Sequence, residues 1–191
     1  MTPEETSALI RVLDRAFDTD PILGSLLSEK KHRARAATAL HRAAVNYAVR
    51  FGVLEIAAEG AGVALWLPPG REHLTFPRML QTGFVPLALE LGWALPRLLK
   101  IDHVLTQMHT THAPEKHWYL FFLAVDPAAH GKGIGGALLE QGVVRAEAQG
   151  LPVYLETQTE QNVRFYTRRG FVVKEEKTIA PGLTNWALRR G

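Results

Sequence analysis

The stretch Trp118-Tyr119-Leu120-Phe121-Phe122-Leu123-Ala124-Val125-Asp126-Pro127-Ala128-Ala129-His130-Gly131-Lys132-Gly133-Ile134-Gly135-Gly136 decides the fold. Trp118 to Val125 has the length and apolar composition of a strand. Asp126-Pro127 ends it, because proline brings no N–H to a ladder. A glycine-rich turn follows, and then Ile134, Leu138, Leu139, Val143 and Ala146 recur at helical spacing. Strand, glycine turn and helix start together predict an anion site. Backbone N–H groups point out of the turn and the helix dipole adds partial positive charge. Glycine at these positions lets a phosphate approach the backbone. The ligand expected over His130 to Gly136 therefore carries phosphates.

Several readings of that turn compete. Gly131, Gly133 and Gly136 spell the dinucleotide pattern Gly-x-Gly-x-x-Gly, and Glu156 stands where such a unit places its ribose-binding acid. In that unit, however, the turn follows its strand directly, whereas Asp126 to His130 intervene here. The chain after Glu156 is also too short to complete a doubly wound sheet. No Lys-Ser or Lys-Thr follows the last glycine, which excludes a Walker-type loop. A purely structural turn is the third alternative.

Leu123 to Gly135 resembles the coenzyme A motif of the GNAT acetyltransferases, Gln/Arg-x-x-Gly-x-Gly/Ala, with His130 in place of Gln or Arg. Asn162-Val163-Arg164-Phe165-Tyr166-Thr167-Arg168-Arg169-Gly170-Phe171 resembles the second motif of the same family. Two motifs in the family's order are more specific than either alone. His117 to Leu120, Leu155-Glu156-Thr157, Phe165-Tyr166 and the closing Pro181-Gly182…Trp186 are similar to the branch that includes puromycin N-acetyltransferase. So are Ala16-Phe17…Asp20-Pro21 and Ala64 to Pro68. The likeness is weakest over residues 71–116.

The resemblance implies an α/β (α+β) acyl-CoA N-acyltransferase fold, in which a mixed central sheet with splayed central strands is flanked by helices. It also implies acetyl-CoA as acyl donor and an amine acceptor. Expected coenzyme contacts are Leu123, Ala124 and Val125 along the pantetheine arm, then His130, Gly131, Lys132, Gly133, Ile134, Gly135 and Gly136 at the pyrophosphate. Asn162 is expected to reach the arm from the opposite side. Tyr166 is expected to touch the coenzyme and to protonate the leaving thiolate, its ordinary pKa near 10 keeping it protonated at neutral pH. For the base, Glu156 at the end of a cleft strand, His117 at the start of the central strand, and no dedicated protein group all remain open.

The 191 residues suit one domain, 1–191, and 47% apolar residues are enough for a sizeable core. Net charge is only +3. The basic run Lys30-Lys31-His32-Arg33-Ala34-Arg35 lacks interleaved aromatics, so it reads as a solvated helix start and not as a nucleic-acid patch. With no cysteine there is neither a disulfide nor an acyl-cysteine route. No leader-like segment and no membrane span is legible, since Phe84 to Ile101 is broken by Pro86, Glu90, Pro96 and Arg97. The expectation is a cytoplasmic protein, monomer or homodimer, with no nucleic-acid or membrane partner.

Thr2-Pro3-Glu4-Glu5 predicts a capped helix at the start, with no room for the strand that usually opens this fold. Asp20-Pro21 breaks that helix, and a second runs over His32 to Arg50. Val53 to Ala58 and Gly62 to Leu67 read as a hairpin. Residues 71–116 form a helical insertion expected near the substrate, with pieces at Phe76–Gln81, Phe84–Leu99 and Ile101–His112. The middle piece is apolar nearly all round and is expected to be buried on both sides or to form a lid. Phe84, Trp93 and Met108, with Phe76 and Met79, are candidates to line an apolar acceptor pocket together with Tyr119 and Glu156, although core packing explains them equally well. His109-x-x-His112 has neither an intervening acid nor a third ligand, so no metal is expected. The expected activity is acetyl transfer to a small apolar or aromatic amine by direct attack in a ternary complex. The alternatives are a protein N-terminus or lysine as acceptor, or a coenzyme A-binding module without turnover. Strands Val153–Thr157, Phe171–Glu175 and Thr184–Arg190 complete the expected sheet.

Overall fold

Thr2 caps α1 (Pro3–Ala16). Its hydroxyl accepts from the Glu5 N–H while the Glu5 carboxylate accepts from the Thr2 N–H, the reciprocal box read in the sequence. The computed structural model describes residues 1–191, and no strand precedes α1. Asp20-Pro21, expected to break α1, lies beyond its end at Ala16. Asp20 accepts from the Leu23 N–H at 2.7 Å and Pro21 takes the first helical position, which starts the short α2 (Pro21–Leu26). α3 (Lys30–Phe51) takes up the basic run in its first turns. The hairpin β1 (Val53–Ile56) and β2 (Gly62–Leu67) follows.

The region 71–116 is helical, with boundaries that differ from expectation. α4 (Phe76–Thr82) and α5 (Phe84–Leu91) lead to α6 (Leu95–His112). The single helix expected over Phe84–Leu99 is two, because Gly92 adopts φ 49°, ψ −118° and turns the chain. α5 is not buried on both sides. Leu87 and Leu91 face the interior, whereas Leu89 is 78% exposed.

β3 (Trp118–Val125), α7 (Ile134–Ala148), β4 (Val153–Thr157), α8 (Glu160–Thr167), β5 (Val172–Ala180) and β6 (Leu183–Arg190) complete the chain. β5 extends past its expected end at Glu175, held by pairing with β6 up to Ala180. The sheet order is β1-β2-β3-β4-β6-β5, antiparallel except for β3 beside β4. This is the mixed α/β sheet expected.

On one face α7 packs Leu138, Leu139, Val143 and Ala146 against Trp66, Leu120 and Leu155. A Cβ on Gly142 would lie 2.1 Å from the Trp66 ring, so glycine is what lets α7 sit flush on the indole. On the other face α1 and α3 pack Leu13, Val45 and Ala48 against Val63, Leu65 and Ala124. β3 carries a bulge: Leu65 pairs with Phe122 and Trp66 with Leu120, which leaves Phe121 extra. Trp118, Leu120 and Leu123 serve the α7 face, while Phe121, Phe122 and Ala124 serve the α1/α3 face.

Candidate active site

β3 and β4 pair only at Trp118–Val153 and Tyr119–Tyr154. Beyond those pairs β3 runs on to Val125 and β4 to Thr157 without backbone pairing, so a cleft opens from the bulge outward. The Asp126 N–H donates to the Ala61 carbonyl at 2.9 Å. By strand alternation Ala124 also addresses β2, and the backbone groups of Leu123 and Val125 point into the cleft. The open backbone edge of β3 is thus that of Leu123 and Val125, the residues expected along the pantetheine arm. Ala124, expected with them, is not on that edge, because its amide faces β2 and its side chain is buried in the α1/α3 core.

The glycine turn is built by its neighbours. The Asp126 carboxylate accepts from the Ala128 N–H at 3.1 Å and caps a short turn over Pro127–Ala129. Gly131 and Gly133 take φ 80° and φ 77°, which other residues rarely adopt, and α7 begins directly after them. The first helical bond of α7 runs from the Ala137 N–H to the Gly133 carbonyl, so the N–H groups of Gly131 to Gly136 stay available. The His130 N–H does not join them, since it donates to Pro127 at 3.3 Å. Its ring Nε2 instead donates to the Val125 carbonyl at 3.1 Å. Gly135 passes close to Val125 and Phe165, where a Cβ would meet atoms at 3.3 Å and 3.6 Å. On the opposite wall Asn162 donates from its side chain to the Thr157 hydroxyl at 3.0 Å. Free backbone donors at a 15-residue helix start and an open strand edge leading to them fit a pyrophosphate on an extended arm.

On the α6 side of the sheet, Glu156 accepts from the Tyr154 hydroxyl at 2.9 Å and the Tyr119 hydroxyl at 3.2 Å. Burial pushes its carboxyl up to about 7, and the two phenols only partly oppose this. Both phenols are raised well above 10, by burial first and by Glu156 next. They are donors at any physiological pH. The arrangement is a carboxyl that changes protonation near neutrality, gripped in place by two tyrosines.

His117 lies away from this carboxyl, at the joined end of β3 and β4, 1% exposed, with both ring nitrogens engaged. Its Nδ1–H donates to the Glu115 carbonyl at 2.7 Å, and its Nε2 accepts from His109 Nε2–H at 2.7 Å. The carbonyl accepts only, and this fixes both tautomers. His117 as a base at the cleft is therefore corrected: its free lone pair is spent on His109. His109, read in the sequence only as half of a His-x-x-His pair, is buried here. Its ring stacks on Tyr154 at 4.4 Å and 26° and meets Tyr119 at 4.6 Å. Burial, aided by His117 and His73, pushes it down to about 3, so it stays neutral. His112 bonds Glu175 at 2.8 Å and shares no centre with His109.

Tyr166 lies in the α7-side core, with Phe165 and Phe171 edge-on against its ring. Burial raises its phenol, so it holds a proton at neutral pH. The insertion residues do not gather at the cleft. Trp93 is 66% exposed beneath Arg97, and Phe76 is 72% exposed. Phe84 packs into the α2/α3/α5/α6 cluster. Met108 is buried behind Tyr154 and Ala187. The turn at Gly92 is the reason: it directs α5 away and leaves one stripe of α6 over the sheet.

The profile of the Acetyltransferase (GNAT) family matches residues 94–171, from the start of α6 through both motifs to Phe171. Over that stretch the chain is similar to the GNAT acetyltransferases. The match and the N-acetyltransferase relatives support an acetyl-CoA-dependent acetyltransferase. An uncharacterized N-acetyltransferase of Schizosaccharomyces pombe is 26% identical over 178 residues, covering 88% of this chain and 70% of that protein. The mycothiol acetyltransferase of Streptomyces avermitilis is 37% identical over 83 residues, 41% of this chain and 27% of that protein. A crystal structure from Corynebacterium glutamicum, described as histone acetyltransferase HPA2 and related acetyltransferase, shares the fold. Its TM-score is 0.67 at 24% identity, covering 100% of this chain and 92% of that one. No helix of this chain is long and apolar enough to cross a membrane.

Proposed function

We propose that this protein transfers an acetyl group from acetyl-CoA to the amine of a small, apolar or aromatic molecule, by direct attack within a ternary complex. The observation that carries the reading is the course of the cleft. It leads from the free N–H groups of Gly131 to Gly136, past the inward-facing backbone of Leu123 and Val125, to the level of Glu156. The coenzyme supplies the acetyl group as a thioester.

Glu156 accepts a proton from the arriving ammonium. A carboxyl near 7 is matched to that task at neutral pH, and the phenols of Tyr119 and Tyr154 hold its oxygens in one orientation. The backbone N–H at Leu123 or Val125 polarises the acyl oxygen, a contribution of roughly 3 kcal/mol per donor in comparable sites. Tyr166 gives its proton to the departing sulfur. Tyr119, Phe121 and Phe122 remain half-buried in the middle of the sheet, a position that covering helices normally bury completely. This uncovered aromatic floor supports an apolar or aromatic acceptor.

The test is acetyl-CoA-dependent release of free thiol with a panel of aromatic, aliphatic and aminoacyl amines, beside peptides with free N-termini or lysines. Turnover confined to small amines is expected. Turnover confined to peptides would replace the reading with a protein acetyltransferase. Coenzyme binding without turnover across the panel would leave a coenzyme A-binding module.

A further inference from the structure

Asp102 is a carboxylate that none of the chemistry above uses. It lies on α6 seven residues before His109, which returns it to the same helical stripe about 10 Å along the axis. The direction of that displacement is fixed by contacts. Met108 packs on Tyr154 and Ala187, and Ile101 shares a cluster with Leu183. β6 runs antiparallel to β4, with Ala187 opposite Glu156 and Trp186 opposite Thr157. α6 therefore also runs antiparallel to β4. Going back from His109 to Asp102 carries the helix from Tyr154 toward the Glu156–Thr157 end, about 10 Å for three strand residues. Asp102 thus overhangs the end of the aromatic floor at which Glu156 stands. Its charge raises the proton affinity of both Glu156 and Tyr119, which places it within electrostatic reach of each. No lysine or arginine of the chain pairs with it; burial raises its carboxyl, and only the neighbouring His103 opposes this.

We infer that Asp102 is a specificity-determining residue of the acceptor groove and that the acceptor is an amine bearing a second, permanent positive charge. This deepens the transfer reading and rests on Glu156 facing the reacting amine. That amine must give up its proton to attack, and it leaves as a neutral amide, so it neutralises only one of the two carboxylates. Asp102 is matched by a cation that survives the reaction, such as the distal ammonium of a diamine. The same pair of carboxylates disfavours acceptors that carry a carboxylate of their own.

Three benzylamines with one aromatic body test this: 1,4-bis(aminomethyl)benzene, 4-methylbenzylamine and 4-(aminomethyl)benzoate. Binding to the protein saturated with coenzyme A is measured by calorimetry, and turnover is measured with acetyl-CoA. The expected order in both is dication over monocation over zwitterion, with roughly tenfold between steps at low salt. Asp102→Asn should collapse the steps while leaving acetyl-CoA affinity intact, and Asp102→Lys should reverse them. Equal binding of the three by the native protein, or an unchanged order in Asp102→Asn, would overturn the inference. The expected order of binding, abolished by Asp102→Asn but with no turnover of any amine, would uphold the inference and sink the transfer reading alone.

Discussion

Glu156→Gln should stabilise the protein in alkaline solution while it abolishes most transfer, and the two effects share one cause. Glutamine keeps the shape of the side chain between Tyr119 and Tyr154 and removes its ionisation. In the native protein burial carries the Glu156 carboxyl from its ordinary 4.5 to about 7. The folded state then holds this proton more tightly than the unfolded state does. The resulting stability is fully present below about pH 4.5, drains away as the pH rises toward 7, and is absent above it. At about 1.4 kcal/mol per decade the whole interval amounts to about 3 kcal/mol. The glutamine variant has no such slope. Every other titrating group is common to both proteins, so the difference between them isolates this carboxyl. Urea denaturation of both at pH 5 and pH 8 is the assay. The variant's advantage should grow by about 2 to 3 kcal/mol between those pH values, while kcat at pH 8 falls by two orders of magnitude or more. An advantage of the same size at both pH values would refute the claim that Glu156 is forced to ionise in an unfavourable place.

Three further outcomes follow from the geometry. Tyr166→Phe keeps the packing against Phe165 and Phe171 and should leave the melting temperature and acetyl-CoA affinity unchanged while lowering kcat roughly a hundredfold or more; unchanged turnover in a stopped assay would remove Tyr166 as the acid. Gly133→Val puts a β-branched residue at φ 77° just before α7 and should weaken acetyl-CoA binding at least tenfold by titration calorimetry. Gly142→Ala adds a methyl 2.1 Å from the Trp66 ring. Overpacking of about 1–3 kcal/mol should outweigh the gain of about 1 kcal/mol in helix propensity, so the thermal midpoint should fall, not rise.

The parts of the fold legible in the sequence are those written in local chemistry. Thr2, Pro3 and Glu5 specify a helix start within four residues, and the glycine turn declares itself through Gly131 and Gly133. Asp20-Pro21 reads as a helix break, but α1 already stops at Ala16 and the dipeptide starts α2 instead. Gly92 was legible as a glycine, but apolar residues on both sides concealed the turn it makes, and with it the outward course of α5. The candidate site divides in the same way. Tyr154 and Glu156 stand two apart on a strand and so share a face, which pattern alone provides. Which stripe of α6 meets that face depends on packing between distant segments, so neither His109 nor Asp102 could be read in advance. His117 shows the converse. A titratable side chain beside the central strand is a natural base until its lone pair is found to be occupied.

The extra residue at Phe121 has a consequence for how this strand can change over generations. Before it, even-numbered side chains, Trp118 and Leu120, face α7; after it, odd-numbered ones, Leu123 and Val125, do so. One half of β3 is thus one step out of phase with the other. Loss of one codon at Phe121 or Phe122 would remove the bulge and restore strict alternation, with Trp118, Leu120, Leu123 and Val125 still on the α7 face. Loss or gain of one codon anywhere else in the strand would turn part of it inside out. Between Leu120 and Leu123 alone, the strand can shorten by one residue without changing which side chains it buries.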